Sequence, residues 1–172
     1  MIRLLIVFIT FFYLDSLLVL FFPLQPVVGQ YEVIPNLFLT CLVIFTFFDR
    51  EKRPLFLAGI FGLLYDIFYA GLLGLYPVLF LAAVFITRRF FVGKTPVNFV
   101  SILSLLMGII AAKEWIIYFL VLTLTGLRMS FMHFVQFLLF PTLLFNALFL
   151  LLAYPVLVNQ FEKYKKNQSR NK

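Results

Sequence analysis

Long apolar runs broken by short polar stretches make up the chain, and no run alternates polar and apolar residues as a barrel strand does. The first run extends from Leu4 to Phe22. A polar-leaning break, Pro23 to Glu32, follows, with Pro23 and Pro26 unable to continue a helix. A second run lies between Val33 and Phe48, with Pro35 at its first turn or as a kink. It is short, so residues before Pro35 are expected to add a turn. Asp49-Arg50-Glu51-Lys52-Arg53 is a charged loop, and Pro54 opens a third run that ends near Ala70. Gly71 to Gly74 reads as a tight turn, since glycine tolerates positive φ. The fourth run is Leu75 to Ile86, followed by a loop carrying Arg88, Arg89 and Lys94. Thr95-Pro96 predicts an N-cap and a first helical residue for the fifth run. The sixth starts after Ser130, is expected to kink at Pro141, and ends near Val158.

A membrane helix needs about 20 apolar residues, so about six spans fit. The pattern therefore predicts an all-α integral membrane protein: residues 1–160 as a six-helix transmembrane domain, residues 161–172 as a loose, basic cytoplasmic tail. The fifth run is ambiguous. Val97 to Thr125 is apolar except for Lys113-Glu114 and is long for one span. Either one tilted helix carries both charges inside, or the helix leaves the membrane near Trp115 and continues along the outer surface. A break at Lys113 would give seven spans and place the basic tail outside.

Composition strengthens the membrane expectation. The chain of 172 residues is 64% hydrophobic and only 12% charged, with a mean hydropathy of +1.09. Soluble domains carry about a quarter charged residues. The net charge of +7 is distributed by side. With the N-terminus inside, every Lys and Arg except Lys113 and Arg128 falls in an inner segment. That asymmetry places both termini in the cytoplasm and makes the span count even. Basic residues facing an anionic leaflet, at about 1 kcal/mol each, account for the charge without nucleic acid. Met1-Ile2-Arg3 and the first run read as a signal anchor, because Phe21-Phe22-Pro23 offers no cleavage site. The single cysteine, Cys41, lies in an apolar run and reads as a packing residue.

The chemistry-bearing residues are few. Gly59, Gly62 and Asp66 share one helix face, and small residues on a stripe let a neighbouring helix come close. Asp66 is expected to face protein, since exposure to lipid costs at least ~2.5 kcal/mol. Its role stays open between clamping the hairpin, contacting a partner or ligand, and relaying a proton. Asp15, Asp66, Lys113 and Glu114 are candidates for intramembrane ion pairs in the outer half of the bundle, with Asp15 alternatively bonded to Ser16 or to backbone. His133 has no acid or cysteine at metal-ligand spacing. Gln136 and Asn146 read as interhelical hydrogen-bonding residues. No nucleophile elbow, P-loop, HExxH or nucleotide fingerprint is present, so a non-enzymatic protein without cofactor or metal is expected.

The stretch from Val33 to Pro77 resembles the rod shape-determining MreD family. Pro35, Asn36 and Leu37 match its Pro-[Asp/Asn]-Leu opening of the second span. Gly59, Gly62, Leu63, Asp66, Gly71, Leu73 and Gly74 match its glycine- and aspartate-bearing hairpin. The resemblance implies a scaffold subunit of the bacterial cell-wall elongation machinery in the cytoplasmic membrane. Its implied partner is the bitopic protein MreC; RodA, a penicillin-binding transpeptidase and MreB follow as further partners. It also implies a bundle like the substrate-binding S subunit of energy-coupling-factor vitamin transporters, the alternative function. Those subunits dock their coupling partner through alanines on the first helix, and the first run here has neither alanine nor glycine.

Overall fold

Every regular element in the computed structural model is helical among the residues it describes, which are 2–21, 31–49, 51–70, 73–93, 98–125 and 130–170. Pro23, Pro26, Arg50, Gly71, Lys94, Thr95, Pro96, Arg128 and Lys172, which entered the sequence expectations, lie outside them, as do the side chains of Arg3 and Arg170. In chain order the helices are α1 (Ile2–Phe21), α2 (Leu37–Phe48), α3 (Arg53–Tyr65), α4 (Leu75–Ile86), α5 (Phe99–Thr125), α6 (Phe131–His133) and α7 (Phe140–Arg170). π-Helical stretches continue α3 through Asp66–Ala70 and α4 through Thr87–Phe91, and Phe134–Leu139 joins α6 to α7.

Helices thus occupy all six apolar runs, but their lengths do not by themselves support six crossings. Two helices are long and apolar enough to span a membrane, Phe99–Thr125 and Phe131–Asn167. With 12 residues, α2 rises about 18 Å, short of a hydrocarbon core of about 30 Å. Its start also differs from expectation. Tyr31 to Asn36 adds no helical turn; Asn36 is the N-cap, with φ −133°, and Pro35 lies outside the helix.

All twelve residues of α2 are buried. The sequence LFLTCLVIFTFF, apolar apart from two threonines, has no face to give to solvent, so the other helices pack around it. Phe8 of α1, Phe38 and Phe45 of α2, Phe61 of α3 and Phe161 of α7 form one aromatic cluster, with ring centroids 4.7 Å apart for Phe38 and Phe61 and 5.1 Å for Phe45 and Phe161. Cys41 is fully buried in the same core. The hydroxyls of Thr40 and Thr46 donate to carbonyls one turn back at 2.8 and 2.7 Å, which keeps α2 free of unpaired polar side chains.

Several boundaries are corrected. Arg88 and Arg89 continue the helix of α4 as its π-helical end. Asn98 caps α5, its Oδ1 accepting from the Ser101 N–H at 2.8 Å, three residues beyond the proposed Thr95. The helix of α5 runs unbroken through Lys113, so no seventh element arises there. Residues 161–170 are not loose: α7 reaches Arg170. Leu157, Phe161 and Tyr164 recur at helical spacing, Leu157 and Phe161 fully buried and Tyr164 partly, and dock that extension on the core. Pro141 leaves its mark one turn earlier. It has no N–H for the Phe137 carbonyl, the helix there is π, and Phe137 O accepts from Glu32 N–H at 2.8 Å.

The helix pair α3 and α4 packs most extensively, and Gly62 is the reason. A Cβ there would lie 2.5 Å from Pro77 Cα and 2.6 Å from Pro77 N. Gly74 begins α4 at φ +101°, a conformation costly for any residue with a Cβ. Gly59 does not take part: a Cβ there meets nothing within 4 Å, because Pro77 approaches α3 one turn further on. Gly62→Ala is accordingly expected to lose about 1–3 kcal/mol through overpacking, whereas Gly59→Ala is neutral or gains up to ~1 kcal/mol of helix propensity. Thermal unfolding of both variants in the same detergent measures the difference.

Candidate functional site

A helix buried at its N-terminus leaves amide donors that water cannot reach. At the start of α2 they are met by Asp15 of α1. Its Oδ1 accepts from Leu37 N–H and its Oδ2 from Phe38 N–H, both at 2.9 Å, and the Tyr65 hydroxyl of α3 donates to the same Oδ2. Asp15 is 2% exposed. One carboxylate therefore ties α1, α2 and α3 together, with its charge at the positive end of α2.

Asn36 occupies the adjoining position and is bonded from every polar atom. Its N–H donates to Asn146 Oδ1 at 2.8 Å and its Nδ2 to Ile34 O at 2.9 Å. Its Oδ1 accepts from Lys113 Nζ at 2.6 Å. Asn146 of α7 completes the set by donating to Ile34 O at 3.0 Å and Thr142 O at 2.7 Å, while Thr142 Oγ1 accepts from Ile34 N–H at 3.1 Å. Alternate residues of the extended segment, Glu32, Ile34 and Asn36, thus bond to the π-helical stretch at Phe137 and to α7 at Thr142 and Asn146. The N–H groups of Glu32, Ile34 and Asn36 in this non-helical strip are all bonded to protein.

Lys113 is 4% exposed and Glu114 1%. Lys113 Nζ lies 2.8 Å from Glu114 Oε1 and 5.8 Å from the centroid of the Tyr76 ring. A cavity of about 70 Å³ is lined by Asp15, Asn36, Tyr65, Tyr76 and Lys113 on its polar side and by Val19, Leu39 and Phe80 among its apolar neighbours. That is room for roughly two waters, each needing about 30 Å³.

Asp66 is 1% exposed and serves α4 as Asp15 serves α2. Its Oδ2 accepts from Gly74 N–H at 2.5 Å and its Oδ1 from Tyr76 N–H at 2.9 Å. Of the four ion-pair candidates, Lys113 and Glu114 do pair with each other, whereas Asp15 and Asp66 bond to the first amides of a following helix. Of the open roles for Asp66, the geometry displays the hairpin clamp.

Of the remaining candidates, Pro35 lines the cavity and Leu63 and Leu73 point outward, 50% and 82% exposed. Gln136 is exposed, and Asn146 joins α7 to the extended segment before α2 and not to another helix. His133 stacks on Phe137 at 4.7 Å. No group of three or more His, Cys, Asp or Glu that could hold a metal ion occurs among the described residues.

Sequence reasoning offered Asp15 a backbone partner, which it has, without locating it at the start of α2, and missed the role of Tyr65. The signal available was Pro35-Asn36 itself, a helix start with an N-cap residue inside an apolar run; a start without water requires an acid or amide from elsewhere. Comparison with family models, with curated proteins and with solved structures finds no match to this chain.

Removing one member of the buried pair should cost more than removing both. Lys113→Met leaves Glu114 without its counter-charge and is expected to lose ~3–5 kcal/mol, and Glu114→Gln in that background should recover most of it. A double-mutant cycle on unfolding free energy reads this directly; Asp66→Asn with Lys113→Met should instead be additive within about 0.5 kcal/mol.

Proposed function

We propose that this protein is a non-enzymatic, multi-pass scaffold subunit of the bacterial cell-wall elongation machinery. It crosses the cytoplasmic membrane six times with both termini inside and binds a bitopic partner of MreC type. The membrane placement draws on the two long apolar helices, the one-sided distribution of basic residues, and the way shorter helices are completed. The π-helical ends lengthen α3 and α4, and the extended segment before α2 is bonded to α7. Irregular backbone at membrane depth is tolerated only where protein satisfies it.

The scaffold role rests on the MreD resemblance, and one observation favours it over the solute-carrier alternative. The polar side chains inside the bundle are engaged with backbone amides and with each other, around a cavity of about 70 Å³. Pockets for small organic ligands measure roughly 300–1,000 Å³. A bundle whose acids and amides hold its helices together presents a rigid outer wall, and a wall suits protein contact.

Co-purification separates the two functions. A tagged, full-length chain is expected to retain an MreC-type coiled-coil partner through detergent extraction and to carry no vitamin detectable by mass spectrometry. Recovery of a stoichiometric vitamin, without such a partner, would replace the scaffold with the carrier.

A further inference from the structure

At the C-terminal end of α2 the structure gathers basic residues from three distant parts of the chain. Asp49, 2% exposed, lies 3.6 Å from Arg53 through Oδ2 and accepts from Glu51 N–H at 2.8 Å. Arg53 pairs with Glu51 at 3.0 Å and meets the Tyr164 hydroxyl of α7. Arg88 donates to the Glu51 carbonyl. The α2–α3 loop, the end of α4 and the extension of α7 therefore meet at one place, and its two loop acids are already paired with Arg53.

What faces outward there is basic. Lys52, Arg89, Lys163 and Lys165 are exposed and Arg88 is partly so, with Glu162 the one exposed acid on that part of α7. Arg88 also keeps a buried Nε donor with no partner. Three of these bases have an exposed apolar side chain one or two helical turns away. Phe56, 71% exposed, is four residues from Lys52; Phe85, 63% exposed, four from Arg89; and Val156, 60% exposed, seven from Lys163.

We propose that this collar is a binding site for anionic phospholipid, with its headgroup against the basic rim to which Lys52, Arg88, Arg89, Lys163 and Lys165 belong and the acyl chains lying along Phe56, Phe85 and Val156. A basic rim directly beside an apolar wall is complementary to an amphiphile with a negative head; a soluble phosphate would use the rim and leave the wall idle. The docked extension of α7 is what completes the rim. The proposal rests on the membrane placement above and is independent of the scaffold role.

The test uses the full chain in detergent, with phosphatidylglycerol, phosphatidylcholine and inorganic phosphate as probes. The wild-type protein is expected to retain phosphatidylglycerol in native mass spectrometry and to melt several degrees higher with it than with phosphatidylcholine, with the difference shrinking as salt rises. A Lys52→Gln, Arg89→Gln, Lys163→Gln, Lys165→Gln variant, changed only at exposed positions, should fold with the same basal Tm and lose that preference. Phe56→Ser should weaken retention of the lipid without altering any response to phosphate. Equal stabilisation by both lipids, an unchanged preference in the quadruple variant, or stabilisation by phosphate equal to that by phosphatidylglycerol would overturn the proposal. Membrane placement is read separately, as release of the chain from membranes by carbonate or only by detergent.

Discussion

The first turn of an α-helix presents N–H groups that the helix itself cannot bond, and a helix surrounded by protein has no water to offer them. In this chain that constraint falls on α2, whose twelve residues are all buried. The groups at its start reach Asp15, and through Asp15 they engage α1 and the Tyr65 hydroxyl of α3. Placing a carboxylate in an apolar interior is costly alone. With two amides, one hydroxyl and the helix dipole directed at it, the same group becomes the point on which three helices are aligned.

The device occurs twice. Asp66 bonds Gly74 and Tyr76 at the start of α4 as Asp15 bonds Leu37 and Phe38, and each acid sits on the helix preceding the one it caps. Between the two, Tyr65 bonds Asp15 while its neighbour Asp66 bonds α4, so adjacent residues of one helical turn reach two different helix starts. Lys113 and Glu114 stand apart as a neutral pair whose cation is shared with Asn36. At the opposite end of α2, Asp49, Arg53 and Tyr164 form a second polar knot. The central helix is apolar apart from Thr40 and Thr46 and is held by ionisable groups at both ends.

Much of the helical layout was legible because it depends on local pattern. Pro54 and Gly74 punctuate the chain where α3 and α4 begin, although the helix of α4 continues past Ile86 through Phe91. Asp66 was placed against protein on the cost of exposure alone, and it is 1% exposed. Partners were another matter. Helix periodicity puts Gly59 and Gly62 on one stripe, but which of them a neighbour touches depends on the height at which Pro77 crosses. Charge suggested ion pairs for Asp15 and Asp66, whereas backbone amides, which every sequence has and none displays, are the partners they take. The extension of α7 was misjudged because its lysines outweighed the spacing of Leu157, Phe161 and Tyr164, the residues that bury it.

Function follows from the same bookkeeping of donors and acceptors. Polar groups that close the fold are engaged within it, and the two proposed binding surfaces lie outside: the apolar wall and the basic rim at the end of α2. The account depends on carboxylates holding helix starts, and amide hydrogen exchange resolved by segment tests it most directly. Asp15→Ala should speed exchange at Leu37 and Phe38 and through residues 37–40 while residues 74–78 stay as protected as in the wild type, and Asp66→Ala should do the reverse. Unchanged protection at Leu37 and Phe38 without the Asp15 carboxylate would contradict the account.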